Sequence, residues 1–395
     1  MPSIQPNVLV WARETAGLSL DDAAEKIGMQ GEAASERLRA IEQGEREPSR
    51  AQLLKMSKAY RRSLLTLYLP APPPKGDRGQ DFRTLPQQQT PNEPLVDALV
   101  RDIRTRQSMV RSVLEDDPDI QPLRFIGSMA MNNGVAAVAR SIQQTLDFDV
   151  HAFRDEDDAD DAFAYLRDKA ESVGMFVLLI GNLGSHHTDL EVAAFRGFAL
   201  ADNLAPFVVI NDHDARSAWS FTLLHELAHL WLGATGISGS YGESRLERFC
   251  NDVASSLLLG GGELQGLDVN AGTAEADAAR LISAFAEERR VSRSMVAYRL
   301  FLIGRVSEQT WRNLAATFHQ EWVAGRNAQR QRAQQREGGP NYYVVKRHRL
   351  GRGLLRFVER SIQDGDLTPT KASLVLGVKP RSVAPLLGPT LREAN

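Results

Sequence analysis

The sequence is poor in cysteine: Cys250 is the only one among 395 residues, which excludes an internal disulfide framework. It also lacks any apolar run of about 18 residues, the length that a membrane-spanning helix needs. The N-terminus contains no basic stretch followed by an apolar segment, so it does not have the pattern of a secretory signal. We therefore expect a cytoplasmic protein that makes no contact with a membrane.

A strong excess of charge of one sign is also missing. The formal net charge is -3, and the 43% hydrophobic and 25% charged residues are average for a globular protein. Any contact with nucleic acid must therefore come from a local patch. A chain of this length is too long for one ordinary core, which predicts two or three domains.

Changes of composition along the chain divide it into four segments. We expect a domain of short helices, a proline-rich linker with a helical region, a mixed domain and a C-terminal helical region, at residues 1–70, 71–150, 151–305 and 306–395. In the mixed domain, short apolar runs at 175–180 and 207–210 predict strands, and an alternating run at 195–200 lies between them in order. Strongly helical stretches follow at 215–232, 244–259 and 274–304. The fold class predicted is α+β.

The stretch 221–233 reads Phe-Thr-Leu-Leu-His-Glu-Leu-Ala-His-Leu-Trp-Leu-Gly. On a helix, His225 and His229 project from one face and can hold one Zn²⁺ ion. Glu226 is the next residue round the helix, placed as the general base that takes a proton from water. The alternative is a pair of histidines that lie beside the core without a ligand. Burial of three ionisable groups on an otherwise apolar helix costs free energy, however, and a bound metal ion would offset this cost.

A catalytic zinc needs a third protein ligand. Glu247 falls on the same helical stripe as the apolar residues Cys250 and Ala254, so we expect it to be this ligand, with Glu243 as the second choice. Two alternatives stay open: Glu247 as a carboxylate near a helix start, and Cys250 as a soft ligand. Asn251 is a candidate for supporting a ligand by a hydrogen bond. The oxyanion-stabilising residue is unranked among His186, His187, Arg196 and Tyr241.

Four blocks in order resemble the ImmA/IrrE family of metallopeptidases, at residues 195–198, 206–211, 221–229 and 247–251. The resemblance covers roughly residues 160–265. It implies a gluzincin-like zinc site with His225, His229 and Glu247 as ligands. Because known members of the family cleave repressors of mobile elements or stress regulons, it also implies a protein substrate.

The order of helix signals over about residues 6–69 resembles a Cro/repressor-type helix-turn-helix domain, with the turn at 42–48 fitting well. The resemblance implies that the helix near 32–43 enters the DNA major groove. That helix carries acidic residues beside basic ones, namely Glu32, Glu36 and Glu42 beside Arg37 and Arg39.

The charge of this domain is weak for a surface that binds phosphate: residues 1–75 hold eleven Lys and Arg against nine Asp and Glu. Both DNA binding and protein docking therefore stay open. If the domain binds DNA, the expected contacts come from Arg37, Arg39, Arg46 and Arg50.

The most basic part of the chain is 326–360, with ten Lys and Arg opposed only by Glu337 and Glu359. It is either a solvated helix surface or a second contact for nucleic acid or an acidic partner. Just after it, residues 367–379 have the rhythm of a helix–turn–helix.

The function predicted is a zinc-dependent endopeptidase fused to a helix-turn-helix domain and cleaving a regulatory protein, either a repressor or an antitoxin. The alternatives are a DNA-binding regulator whose zinc domain senses or scaffolds without turnover, and a peptidase that uses the helix-turn-helix to dock its substrate.

Overall fold

The structure is a computed structural model that describes residues 4–31, 33–73, 93–184, 188–234, 236–238, 245–260, 262–334 and 341–388. The chain divides into two compact units. The first comprises residues 1–78, 85–103 and 182–194, and the second comprises residues 79–84, 104–181 and 195–395.

The first unit is built from short helices: α1 (Pro6–Glu14), α2 (Leu20–Ile27), α3 (Ala34–Glu42), α4 (Arg50–Tyr60), a 3-10 turn at Leu65–Tyr68 and the start of α5 (Glu93–Glu115). The Ser19 hydroxyl accepts a hydrogen bond from the Asp22 amide at 3.1 Å, and Gly28 ends α2 with a φ of 77°. A hydroxyl side chain at the start and a glycine at the end therefore fix both ends of α2. Apolar side chains from all four helices and the turn form one core, including Leu9, Ile27, Leu38, Met56 and Leu67.

A buried ion pair links two helices of this unit. The Arg13 Nε lies 2.9 and 3.0 Å from the two carboxylate oxygens of Glu42, whose side chain is only 4% exposed. Arg13 also donates to the carbonyl of Leu18 at 2.9 Å. Glu42, one of the acidic residues that the sequence places on α3, is therefore buried and its charge is neutralised by Arg13.

The second unit contains four strands and twelve further helices within its described residues. In chain order these are α6 (Val135–Leu146), α7 (Val150–Asp155), α8 (Ala159–Ser172), β1 (Phe176–Leu179), β2 (Gly197–Leu200), β3 (Phe207–Ile210), α9 (Arg216–Trp231), β4 (Gly236–Ser238), α10 (Arg245–Leu258), α11 (Glu275–Glu288), α12 (Arg293–Leu302), α13 (Glu308–Gln334), α14 (Tyr342–Leu350), α15 (Arg352–Gln363), α16 (Pro369–Val375) and α17 (Val383–Leu387).

The strands form one sheet in the order β1-β3-β2-β4. Strand β3 pairs parallel with β1 and antiparallel with β2, and β2 pairs antiparallel with β4. All residues of β1, β2 and β3 are buried, which fits their continuous apolar sequence. Helices α8 and α9 contact this sheet, and α9 packs on β2 and β3.

A single apolar core runs from Val138 in α6 to Phe318 in α13 and includes the inward face of α9. The stretch 274–304, expected to be helical, consists of two helices. The break follows from Arg290, which has a left-handed φ of 57°, and from Ser292, whose hydroxyl accepts the Met295 amide to begin α12.

The C-terminal helices are fixed to this core by a buried arginine. Arg167 in α8 donates to the carbonyls of Val177, His348 and Arg349, and its Nε lies 3.2 Å from Glu171. Glu171 in turn accepts the Gly353 amide at 2.8 Å. These hydrogen bonds hold α14 and α15 against α8 and β1.

In the part of the chain that the structure describes, no helix combines the length and the apolar character needed to cross a membrane.

Candidate metal centre

Helix α9 is buried on nearly all sides, from Ala218 to Trp231 with only Phe221 partly exposed. It follows strand β3 through Asn211, whose side-chain amide donates to the Phe195 carbonyl at 3.1 Å. At its other end, the Trp231 indole donates to the Ser141 hydroxyl at 3.1 Å, and its ring stacks on Phe125. The helix that carries the two histidines is therefore held at both ends.

Helix α10 brings a carboxylate to the same place. Its buried stripe contains Cys250, Val253, Ala254 and Leu257, and Glu247 lies one turn earlier with only 6% of its surface exposed. Helices α9 and α10 pack extensively against each other. The stripe that the sequence predicts for Glu247 is thus the stripe that faces α9.

Ligand atoms of three side chains converge between these helices. His225 Nε2 lies 3.1 Å from Glu247 Oε2, His229 Nε2 lies 3.2 Å from Glu247 Oε1, and the two Nε2 atoms are 3.1 Å apart. In the part of the chain that the structure describes, this is the one group of three His, Cys, Asp or Glu side chains with metal-ligand spacing.

The pKa values of the three groups reflect this coupling. Burial raises the pKa of Glu247, but hydrogen bonds with both histidines outweigh burial and lower it to about 2. Burial lowers the pKa of His229. At His225 burial favours the neutral ring, but the hydrogen bond with Glu247 and the charges of two carboxylates outweigh it and raise the pKa. Glu247 is therefore a carboxylate at neutral pH, as a metal ligand must be.

The dimensions of the cluster fit a tetrahedral metal ion. Bonds of about 2.0–2.1 Å from zinc to nitrogen or oxygen require ligand atoms separated by about 3.3 Å. The two Nε2 atoms are 3.1 Å apart and each lies 3.1–3.2 Å from one of the two Glu247 oxygens, so these separations are close to that requirement. With such an ion bound, the two imidazoles and the carboxylate would be three ligands, which would leave one position for water or substrate.

Glu226 lies beside this cluster and is fully buried. Its carboxylate packs against strand β2, where a Cβ on Gly197 would lie 3.0 Å from Glu226 Oε1 and 2.7 Å from the Thr222 methyl group. Gly197 thus permits the close approach of β2 and α9 that holds Glu226 in place. A glycine inside an alternating strand pattern often marks such a close approach, but the sequence analysis did not predict this contact.

The other candidates from the sequence have different surroundings. Cys250 is fully buried in the apolar core and is not among the side chains with metal-ligand spacing; burial raises the pKa of its thiol. A hydrogen bond between the His225 ring and the Asn251 side chain contributes to the raised pKa of His225. Arg196 lies 3.6 Å from Asp214 in an ion pair and is half exposed. The remaining candidates lie outside the described residues, namely Glu243, His186, His187 and Tyr241.

The four arginines expected to contact DNA are all exposed in the first unit. Arg37 and Arg39 lie on α3, Arg50 is the first residue of α4, and Arg46 lies between the two helices. On the described residues of α3, Glu36 is the one exposed acidic side chain beside them.

Comparison with known protein families gave two matches. Residues 182–301 match the peptidase family model described as the IrrE N-terminal-like domain, and residues 9–67 match a helix-turn-helix family model. Neither the curated proteins nor the solved structures gave a match.

The two matches confirm both resemblances of the sequence, and the peptidase match implies a metal cofactor for a domain that contains a buried His-His-Glu cluster. Residues 182–301 are thus similar to an IrrE-like peptidase domain, and residues 9–67 are similar to a helix-turn-helix domain.

Proposed function

We propose that the protein is a zinc-dependent endopeptidase that cleaves a regulatory partner protein, a repressor or an antitoxin. One observation carries the proposal: the ligand atoms of His225, His229 and Glu247 converge within 3.2 Å of their neighbours, beside the buried carboxylate of Glu226. A structural metal site has no need of an adjacent base or of an open position.

Zinc suits this site better than a harder cation. Mg²⁺ and Ca²⁺ prefer six or more oxygen ligands, whereas this cluster offers two nitrogens and a carboxylate. When bound, zinc acts as a Lewis acid toward water and toward the carbonyl of a peptide bond.

The residues of the chain then have separate roles. His225 and His229 present their Nε2 atoms from one face of α9, and Glu247 adds a negative charge from α10. Glu226 takes a proton from water at its carboxylate and delivers it to the nitrogen of the leaving amine. Because the carboxylate is enclosed by β2 and α9, it keeps one orientation during both transfers.

The second part of the proposal is that the N-terminal unit binds DNA. The pairing of Glu42 with Arg13 removes one acidic and one basic group, so the net charge of +2 over residues 1–75 does not change. Helix α3 itself keeps two exposed arginines, Arg37 and Arg39, beside one exposed acidic residue, Glu36. We infer that Arg37, Arg39, Arg46 and Arg50 contact DNA, which supports binding near a regulated gene over a role limited to protein docking.

The test compares the wild-type protein with Glu226→Gln, because the amide keeps the shape of the side chain but cannot accept a proton. Cell extract is incubated with each protein, and new N-termini are identified by amine labelling and mass spectrometry. We expect new N-termini in one regulatory protein with the wild type and none with the variant.

Equal cleavage by both proteins would contradict the role of Glu226. No cleavage by either, in the presence of zinc and with DNA binding intact, would favour the alternative of a regulator whose zinc domain senses or scaffolds without turnover.

A further inference from the structure

The C-terminal end of the chain contains a second three-helix arrangement that neither family match covers. Helix α15 contacts both α16 and α17, and α16 contacts the segment 380–387. Their buried side chains form a shared apolar interior, including Leu355, Val358, Val375, Leu376, Val383 and Leu386. This interior fixes the angle between α16 and the segment that follows it.

The connection after α16 has the length of the turn in a helix-turn-helix. Four residues separate Val375, the end of α16, from the 3-10 turn that begins at Pro380 and continues into α17. Within them, Gly377 has a left-handed φ of 59°, and the Val378 amide donates to the Ser373 carbonyl at 2.9 Å. A three- or four-residue turn with a glycine is typical of this motif.

Both ends of the motif are fixed by specific contacts. Thr368 caps α16 by accepting the Lys371 amide at 3.3 Å. Arg347 in α14 donates to the carbonyls of Leu386 at 2.9 Å and Pro385 at 2.6 Å, which secures the end of α17. The start of the second helical segment, at Lys379, Pro380 and Arg381, is exposed.

The charge of this region is opposite to that of the rest of the chain. Residues 341–388 hold nine Lys and Arg against three Asp and Glu, a formal charge of +6, so the remaining residues carry -9. Lys371, Lys379 and Arg381 are exposed and form no ion pair with any residue that the structure describes. These cations lie at the starts of the two helical segments, the ends that meet DNA phosphates and base edges in helix-turn-helix proteins.

We propose that α16, the turn at Gly377 and residues 380–387 form a second DNA-binding surface, which places the exposed start of the second segment in the major groove of a DNA duplex. We expect the bound molecule to be a DNA duplex, because the motif presents one short helical segment flanked by cations, which suits a DNA groove. An acidic protein would need only the positive charge and not this shape.

The experiment uses the full-length chain in which Arg37, Arg39, Arg46 and Arg50 are replaced by alanine, so that the N-terminal surface makes no contribution. The probe is a fluorescein-labelled 24-base-pair duplex of random sequence, and its affinity is measured by anisotropy between about 50 and 200 mM NaCl. The test variant adds Lys371→Ala, Lys379→Ala and Arg381→Ala.

Each phosphate contact contributes about 0.9 to the dependence of log affinity on log salt, so removing three lowers the slope by about 2 to 3. The loss of affinity across this fourfold salt range then becomes about 40 times smaller than in the parent. A control with the same change in charge replaces three exposed arginines of other helices by alanine, namely Arg140, Arg280 and Arg312. We expect its slope to equal that of the parent.

Three results would overturn the proposal: an unchanged slope in the test variant, an equal fall in the control, or no binding of the duplex by the parent. Tighter binding of a single-stranded RNA of equal length would also overturn it in favour of an RNA surface. Circular dichroism shows whether each variant is folded, and none of the substituted residues lies near the metal cluster in sequence. Peptidase activity therefore has no part in the outcome.

Discussion

Replacing Gly197 by alanine tests how closely strand β2 holds the carboxylate of Glu226. The added Cβ would lie 2.7 Å from the Thr222 methyl carbon and 3.0 Å from Glu226 Oε1, whereas ordinary contacts begin at 3.4 Å. The strand and the helix must therefore separate by about 0.7 Å or the two side chains must rotate, and such overpacking costs about 1–3 kcal/mol.

The same shift displaces the proposed base. Because a misplacement of about 1 Å lowers a rate by about 100-fold, we expect Gly197→Ala to reduce cleavage of the partner protein by about 10- to 100-fold. Zinc content should stay at the wild-type level, since the Nε2 atoms of His225 and His229 do not contact Gly197. The assays are urea unfolding, metal analysis and the initial rate of cleavage.

A second substitution separates the two contacts. Thr222→Ser removes the methyl group nearest the new Cβ but keeps a hydroxyl that can donate to the Ala218 carbonyl. In the double variant we expect most of the free energy of unfolding to return, because the closest clash is gone, while activity stays low, because the contact with Glu226 remains. The matched control is Gly325→Ala, at an exposed helical glycine with no atom within 4 Å of a new Cβ, which should leave activity unchanged. Full activity in Gly197→Ala would refute the reasoning.

Three further outcomes follow from the structure. Glu42→Ala leaves the Arg13 guanidinium buried without its partner and should destabilise the first unit by about 3 kcal/mol in chemical denaturation, and an effect under about 1 kcal/mol would mean that water replaces the carboxylate. Cys250 should react with Ellman's reagent only after denaturation, because burial raises the pKa of its thiol; rapid labelling of the native protein would show that α10 opens. In an otherwise wild-type chain, Arg37→Ala with Arg39→Ala should lower the salt slope of DNA binding by about 2, and a slope that does not change would favour protein docking.

Local sequence patterns predict the helices and strands of this fold well. Apolar runs predict β1 and β3 because their residues are buried on both faces, and the Gly28 and Gly233 stops mark where α2 and α9 end. The short edge strand β4 escapes prediction because three residues carry no periodicity.

The candidate metal cluster is predictable for a different reason. His225 and His229 are on one helix, so their spacing alone places both rings on one face. Glu247 can be predicted because it lies on the apolar stripe of α10. Contacts between distant segments cannot be found in this way. Glu42 pairs with a residue 29 positions away, and Gly197 meets Glu226 only once β2 and α9 have packed.

The zinc content of three purified proteins tests the central claim most directly. Mass spectrometry under native conditions should find about one zinc per chain in the wild type and in Glu226→Gln, because the base is not a ligand. In Glu247→Ala, competition with a chelator should show an affinity for zinc that is reduced at least about tenfold, because one of the three protein ligands is lost. Wild-type zinc affinity in Glu247→Ala, together with loss of zinc in Glu243→Ala, would contradict the ligand set on which the account rests.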